Sequence, residues 1–115
     1  MSGADPLDRL RHMLDHAREA LGLMEGRSRA DLDTDRLLNL GMVRLLEVIG
    51  EAAAQTPVEV RERYPHLPWR EASDLRNRLI HGYDTVDFDR VWVILRDDLP
   101  PLVAALSLIL ESNEA

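Results

Sequence analysis

The sequence predicts an all-α fold, an antiparallel bundle of four to five helices, and three observations carry that prediction. Apolar residues recur at helical spacing along most of the chain. Start and stop signals bracket those segments. No stretch alternates apolar and polar residues convincingly as a strand would, and neither an internal repeat nor a low-complexity tract interrupts the pattern. At 115 residues the chain makes one domain, 1–115, with a thin margin of buried surface that self-association would widen. Aromatic residues are only 4%, so the core must come from Leu, Val, Ile, Ala and Met.

The first helix starts at Asp5-Pro6, an N-cap candidate followed by proline at the first helical position. Leu7, Leu10, Leu14, Ala17, Leu21 and Met24 carry it for about five turns, to near Gly26. His12 and His16 are neighbours on its polar face. A metal pair would need further ligands, so a solvated face is the better account. Asp31, Asp33 and Asp35 open like a calcium loop but lack the glycine and distal glutamate that such a loop requires. Asp33 to Asp35 cap the second helix instead, which runs to about Gln55. That helix is apolar nearly all round, as for one packed on the core on one side and on a partner subunit on the other. Arg44, Glu47 and Glu51 break the pattern along one narrow stripe, either a surface ion pair or a polar strip lining a cleft.

Thr56-Pro57-Val58-Glu59 matches a capping box for a short helix that Pro65 stops. Pro68 restarts the chain, and the next helix runs from Trp69 to about His81, with Gly82 as its stop. On that reading His81 lies in the last turn, where the negative end of the helix dipole would raise its proton affinity. Asp84 to Asp87 make a turn, and Asp87 caps a helix from Phe88. Pro100-Pro101 should break or kink that helix before an apolar last segment, Leu102 to Leu110.

Composition narrows the function. Without cysteine there are no disulfides, thiolate catalysis or Cys-based zinc sites. No signal peptide is apparent, and no apolar stretch reaches the ~18 residues of a membrane span, so a cytoplasmic protein is expected. The net charge of −7 argues against a general nucleic-acid binder. All 14 basic residues are arginine, which a GC-rich coding bias explains. Five arginines nevertheless fall between Arg61 and Tyr83 against three acids, so an acidic protein still has the means to form a positive cleft.

The densest chemistry lies in Arg76-Asn77-Arg78-Leu79-Ile80-His81-Gly82-Tyr83. Arginine suits phosphate, histidine exchanges protons near neutral pH, and a tyrosine hydroxyl accepts a transferred group. Nucleotide-binding loops, zinc-protease and serine-hydrolase motifs are all missing. On one continuous helix Arg76 and His81 would stand ~140° apart, so they would meet only if the helix unwinds near Gly82 or if two copies meet across a two-fold axis. A phosphate site, with arginine stabilising charge and histidine as acid or base, is the best chemical reading. A solvated helix end is the plainer alternative.

Arg76, four residues, then His81-Gly82-Tyr83 resembles the R-x4-H-x-Y motif of the HepT-like branch of the HEPN superfamily, and the polar Asn77 fits it. Arg44 to Ala53, Pro68 to Glu71, Val91-Trp92 and Asp98 to Pro100 are similar to that family as well, so the likeness covers nearly the whole chain from about Asp31. The resemblance implies a small helical homodimer whose two motifs line a shared cleft, acting as a metal-independent endoribonuclease and as the toxin of a type VII-like toxin–antitoxin pair. Arg76 and His81 would be the catalytic pair, with Asn77 and Arg78 as RNA- or phosphate-contacting neighbours and Arg44, Glu47 and Glu51 as cleft-lining candidates. The chain itself would need no cofactor. Its implied partner is a minimal nucleotidyltransferase antitoxin, which moves AMP from ATP to Tyr83 and so places negative phosphate beside the pair. The competing expectation is a non-catalytic partner subunit whose arginines hold nucleotide phosphate.

Overall fold

The computed structural model describes residues 5–81 and 85–114. Helix α1, Asp8–Met24, buries Leu10, Leu14 and Ala17 of the expected stripe together with Met13 and Ala20, while Leu21 and Met24 are only partly buried. It begins later than Asp5-Pro6 suggests. The Asp5 carboxylate accepts from the Leu7 N–H at 2.8 Å, and its carbonyl accepts from Asp8, so Asp5 closes a turn that leads into the helix. That bond, followed by the one from Arg11, holds the Asp5 carboxyl below the usual aspartate range. Gly26 ends the segment at φ +73°, a left-handed conformation that costs glycine little.

A short helix α2, Asp31–Thr34, inserts the fully buried Leu32 and leads into α3, Arg36–Ala54. Asp35 caps α3, its carboxylate accepting from the Leu38 N–H at 3.1 Å. The buried Asn39 amide donates to the Leu32 carbonyl at 2.9 Å, which ties α2 to α3 without leaving that group unpaired. α3 packs on α1 and on the segment after Pro68 through Met42, Leu46, Ile49 and Ala53. Its other side is uncovered: Leu37 is 83% exposed and Leu40 48%.

The capping box at Thr56 does not form. The helix α4, Val58–Arg63, has no side-chain cap. The Thr56 N–H turns to the Ala53 carbonyl, and its buried hydroxyl donates to the Ala52 carbonyl at 2.9 Å. The end of α3 thus claims the hydroxyl, because its last carbonyls need donors.

The helix expected over Trp69 to His81 is split and shorter. α5, Trp69–Ser73, and α6, Leu75–Leu79, meet at Asp74, whose φ −95° and ψ 8° lie outside the helix. β1, Ile80–His81, then pairs antiparallel with β2, Thr85–Val86, in the register Ile80↔Val86 and His81↔Thr85. The Asp87 N–H bonds the Leu79 carbonyl at 2.8 Å and closes this clasp. β-Branched Ile80, Thr85 and Val86 favour the extended form. His81 therefore lies on strand backbone, and the helix-dipole argument for its proton affinity lapses. Gly82 as a helix stop, Tyr83 and Asp84 lie outside the described residues.

Asp87 caps α7, Phe88–Val93, as expected, accepting from the Arg90 N–H at 3.1 Å. A π-helical turn, Ile94–Asp98, then joins α7 to α8, Leu99–Glu114. Pro100 and Pro101 are the second and third residues of α8, directly after that turn. The expected break becomes a change of hydrogen-bond register in one continuous rod, with the Leu99 N–H reaching back to Ile94. The fold is all-α in class, and the core runs between α1, α3, α5–α6 and α8.

Candidate active site

Arg76 leaves α6 toward α3. With Ser73 from the end of α5, it forms one side of a groove of about 480 Å³ whose other side is Arg44, Glu47, Gly50, Glu51 and Ala54 of α3. The polar stripe of α3 and the arginine of the Arg76–Tyr83 stretch lie far apart in sequence, and the fold brings them together. Arg44 and Glu47 are 3.9 Å apart, with the Arg44 side chain 69% exposed. This is a loose ion pair of small energetic value, which leaves Arg44 able to turn to another anion. Among the described residues Arg76 is exposed and joins no ion pair.

Arg78 goes the other way. Its guanidinium donates to the Asp98 carboxylate at 2.8 Å and to the Glu71 carbonyl at 3.4 Å. It borders a second pocket, about 390 Å³, with Leu67, Ala72, Leu75, Ile94 and Leu102 among its apolar walls. Two residues on a helix differ by ~200° in direction, so Arg76 and Arg78 cannot serve one surface. The Asn77 amide donates to the Asp74 carboxylate at 2.6 Å, which braces the break between α5 and α6. Arg90 donates to the Arg78 carbonyl at 3.4 Å and steadies the end of α6.

His81 follows α6 on strand backbone, and the chain changes from helix to strand at Ile80. A helical offset therefore no longer fixes its direction relative to Arg76. Tyr83 lies beyond the described residues. Elsewhere, the His16 ring nitrogen lies 2.7 Å from the His12 carbonyl, and the two ring centroids are 6.4 Å apart. Among the described residues no group of three or more His, Asp or Glu could hold a metal ion. No helix there is long and apolar enough to cross a membrane.

Sequence reasoning passed over three groove residues, Gly50, Ala54 and Ser73. Ser73 carries no signal of its own. Gly50 does: a glycine inside an apolar helix points to a close approach.

The family model described as "Ribonuclease HepT-like" matches residues 13–109. A Caldanaerobacter subterraneus protein named "Putative RNase" is 32% identical over 95% of this chain and 97% of its own length. The "Probable ribonuclease HepT" of Thermococcus cleftensis is 34% identical over 77% of this chain and 84% of its own. A longer Methanocaldococcus jannaschii protein, named "Gamma-glutamylcyclotransferase and putative RNase", is 34% identical over 85% of this chain, which spans only 46% of that relative. No solved structure matches the chain significantly.

Proposed function

The chain belongs to the HepT-like ribonuclease family, and we propose that it is a metal-independent endoribonuclease whose working site is the groove carrying Arg76. One observation supports the site above all: Arg76 is exposed in a groove with Arg44, while Arg78 is taken up by Asp98. Arg76 binds the scissile phosphodiester and stabilises charge as the phosphorus becomes five-coordinate. His81 removes the 2′-hydroxyl proton. The 2′-oxygen then bonds to phosphorus, the bond to the 5′-oxygen breaks, and that oxygen takes up a proton. A 2′,3′-cyclic phosphate and a 5′-hydroxyl result. The internal nucleophile makes a metal unnecessary to this scheme.

The chain acts in the cytoplasm as a homodimer, with the exposed Leu37 and Leu40 on the interface side of α3. It is the toxin of a pair whose nucleotidyltransferase antitoxin silences it by adenylylating Tyr83. The added phosphate competes with RNA for Arg76.

The test is cleavage of RNA by the purified chain in chelator, with the new ends analysed. Wild type should leave 2′,3′-cyclic phosphate ends, and His81→Ala should abolish cutting at unchanged native mass. Equal cleavage by both would sink the assignment. Nucleotide binding without cleavage or growth arrest would favour the non-catalytic partner subunit.

A further inference from the structure

The groove depends on a residue that contributes no side chain to it. Gly50 lies inside α3, where glycine lowers helix stability relative to alanine, so its presence calls for a reason. The reason is contact. A Cβ at Gly50 would stand 3.0 Å from the Ala72 carbonyl oxygen and 3.2 Å from Leu75 Cβ. Those atoms flank Asp74, the break between α5 and α6. The nearer one is backbone, which cannot swing aside as a side-chain tip does. Leu75 is only 3% exposed, so the added carbon meets a packed side chain there rather than solvent. Gly22 of α1 differs, since a Cβ there would meet nothing within 4 Å.

We infer that Gly50 is a positioning residue for Arg76: its bare backbone lets α3 seat against the α5–α6 junction, and that seating sets the distance from Arg76 to the Glu47–Glu51 strip. The inference rests on Arg76 acting on RNA phosphate as proposed above. Adding a methyl group at Gly50 pushes the junction out by a few tenths of an ångström. Arg76, one residue after Leu75, moves with it. Misplacement of a charge-stabilising group slows the chemical step more than it weakens binding.

The experiment measures kcat and KM on RNA for wild type, Gly50→Ala and Gly22→Ala, and for Gly50→Ala combined with Arg76→Lys. Gly50→Ala should lower kcat at least about tenfold and leave KM within about twofold. Gly22→Ala, the same chemical change in open space, should match wild type. In the Arg76→Lys background, Gly50→Ala should add no more than about a twofold loss, because the group it positions is already altered. Wild-type kcat in Gly50→Ala, or an undiminished loss beside Arg76→Lys, overturns the positioning role alone. A wild-type chain that cuts no RNA, or an Arg76→Ala variant at full rate, overturns both this inference and the proposed activity. Should Gly50→Ala fail to fold, Leu75→Val disturbs the same junction from its other side. A kcat loss that shrinks beside Arg76→Lys supports the role, and an equal loss overturns it.

Discussion

Arg76 and Arg78 share a short helix, a charge and nearly a sequence position, yet they meet opposite surroundings. Arg76 faces the groove along α3 with Glu47, Glu51 and the loosely held Arg44. Arg78 is bonded to Asp98 at 2.8 Å beside an apolar pocket at the π-helical turn. The first is a cation at an open polar surface, available to an anionic ligand. The second joins α6 to the rod that contains Asp98. The contrast divides an arginine-rich stretch by the direction of each side chain on the helix, into a groove-facing part and an ion-paired part.

That division can be broken by substitution. The largest effect belongs to Arg76→Ala, which should cut the cleavage rate about 100-fold or more while the melting temperature holds. Next comes Leu37→Glu, at the exposed end of the α3 stripe. It should convert the proposed homodimer to monomers, read by native mass, and lower cleavage without changing the circular dichroism spectrum. A monomeric wild type, or a dimeric and active Leu37→Glu, would remove the dimer from the picture. Arg78→Ala should leave kcat within about threefold of wild type and cost stability of about 1 kcal/mol or less, since its partly exposed ion pair is screened by solvent. Loss of cleavage at unchanged stability in that variant would erase the contrast. The smallest effect concerns Asp35, whose carboxyl is held below its ordinary value of 3.8, first by the Leu38 N–H and then by Arg27. A depressed carboxyl stabilises the fold above that ordinary value and loses its contribution as pH falls through the folded one. Asp35→Ala should therefore melt slightly lower than wild type at neutral pH, and the gap should close as pH falls below 3.8.

Much of this was legible in the sequence, because local rules govern it. Periodicity placed the buried stripe of α1, and the Asp35 and Asp87 carboxylates cap α3 and α7 as their spacing suggests. The apolar excess of α3 announced its uncovered side. Local rules failed where a group had two possible partners. Thr56 could cap α4 or finish α3, and it finishes α3. The Trp69-to-His81 helix gives way at Asp74 and again at Ile80, where Asp87, distant in sequence, bonds the Leu79 carbonyl. At the site, sequence spacing nominated Arg76 and the Arg44–Glu51 stripe separately. Only the packing of α3 on α5–α6 puts them in one groove. The change to strand at Ile80 also removes one argument for a dimer, because Arg76 and His81 are no longer held apart by a helical offset. The exposed Leu37 and Leu40 remain as the physical reason to expect one.

The π-helical turn has a consequence beyond accommodating two prolines. In an uninterrupted α-helix the rings of Pro100 and Pro101 would press on the carbonyls of Arg96 and Asp97. The wider turn relieves that pressure, and the prolines in turn make a return to α register unfavourable. The widening works as a retained insertion: every residue beyond it is dialled back by about one position's rotation, ~100°. Asp98, the last residue of the turn itself, is the one that meets Arg78. The two prolines therefore hold the widened turn in place, and the Arg78–Asp98 ion pair joins that turn to the helix that carries Arg76.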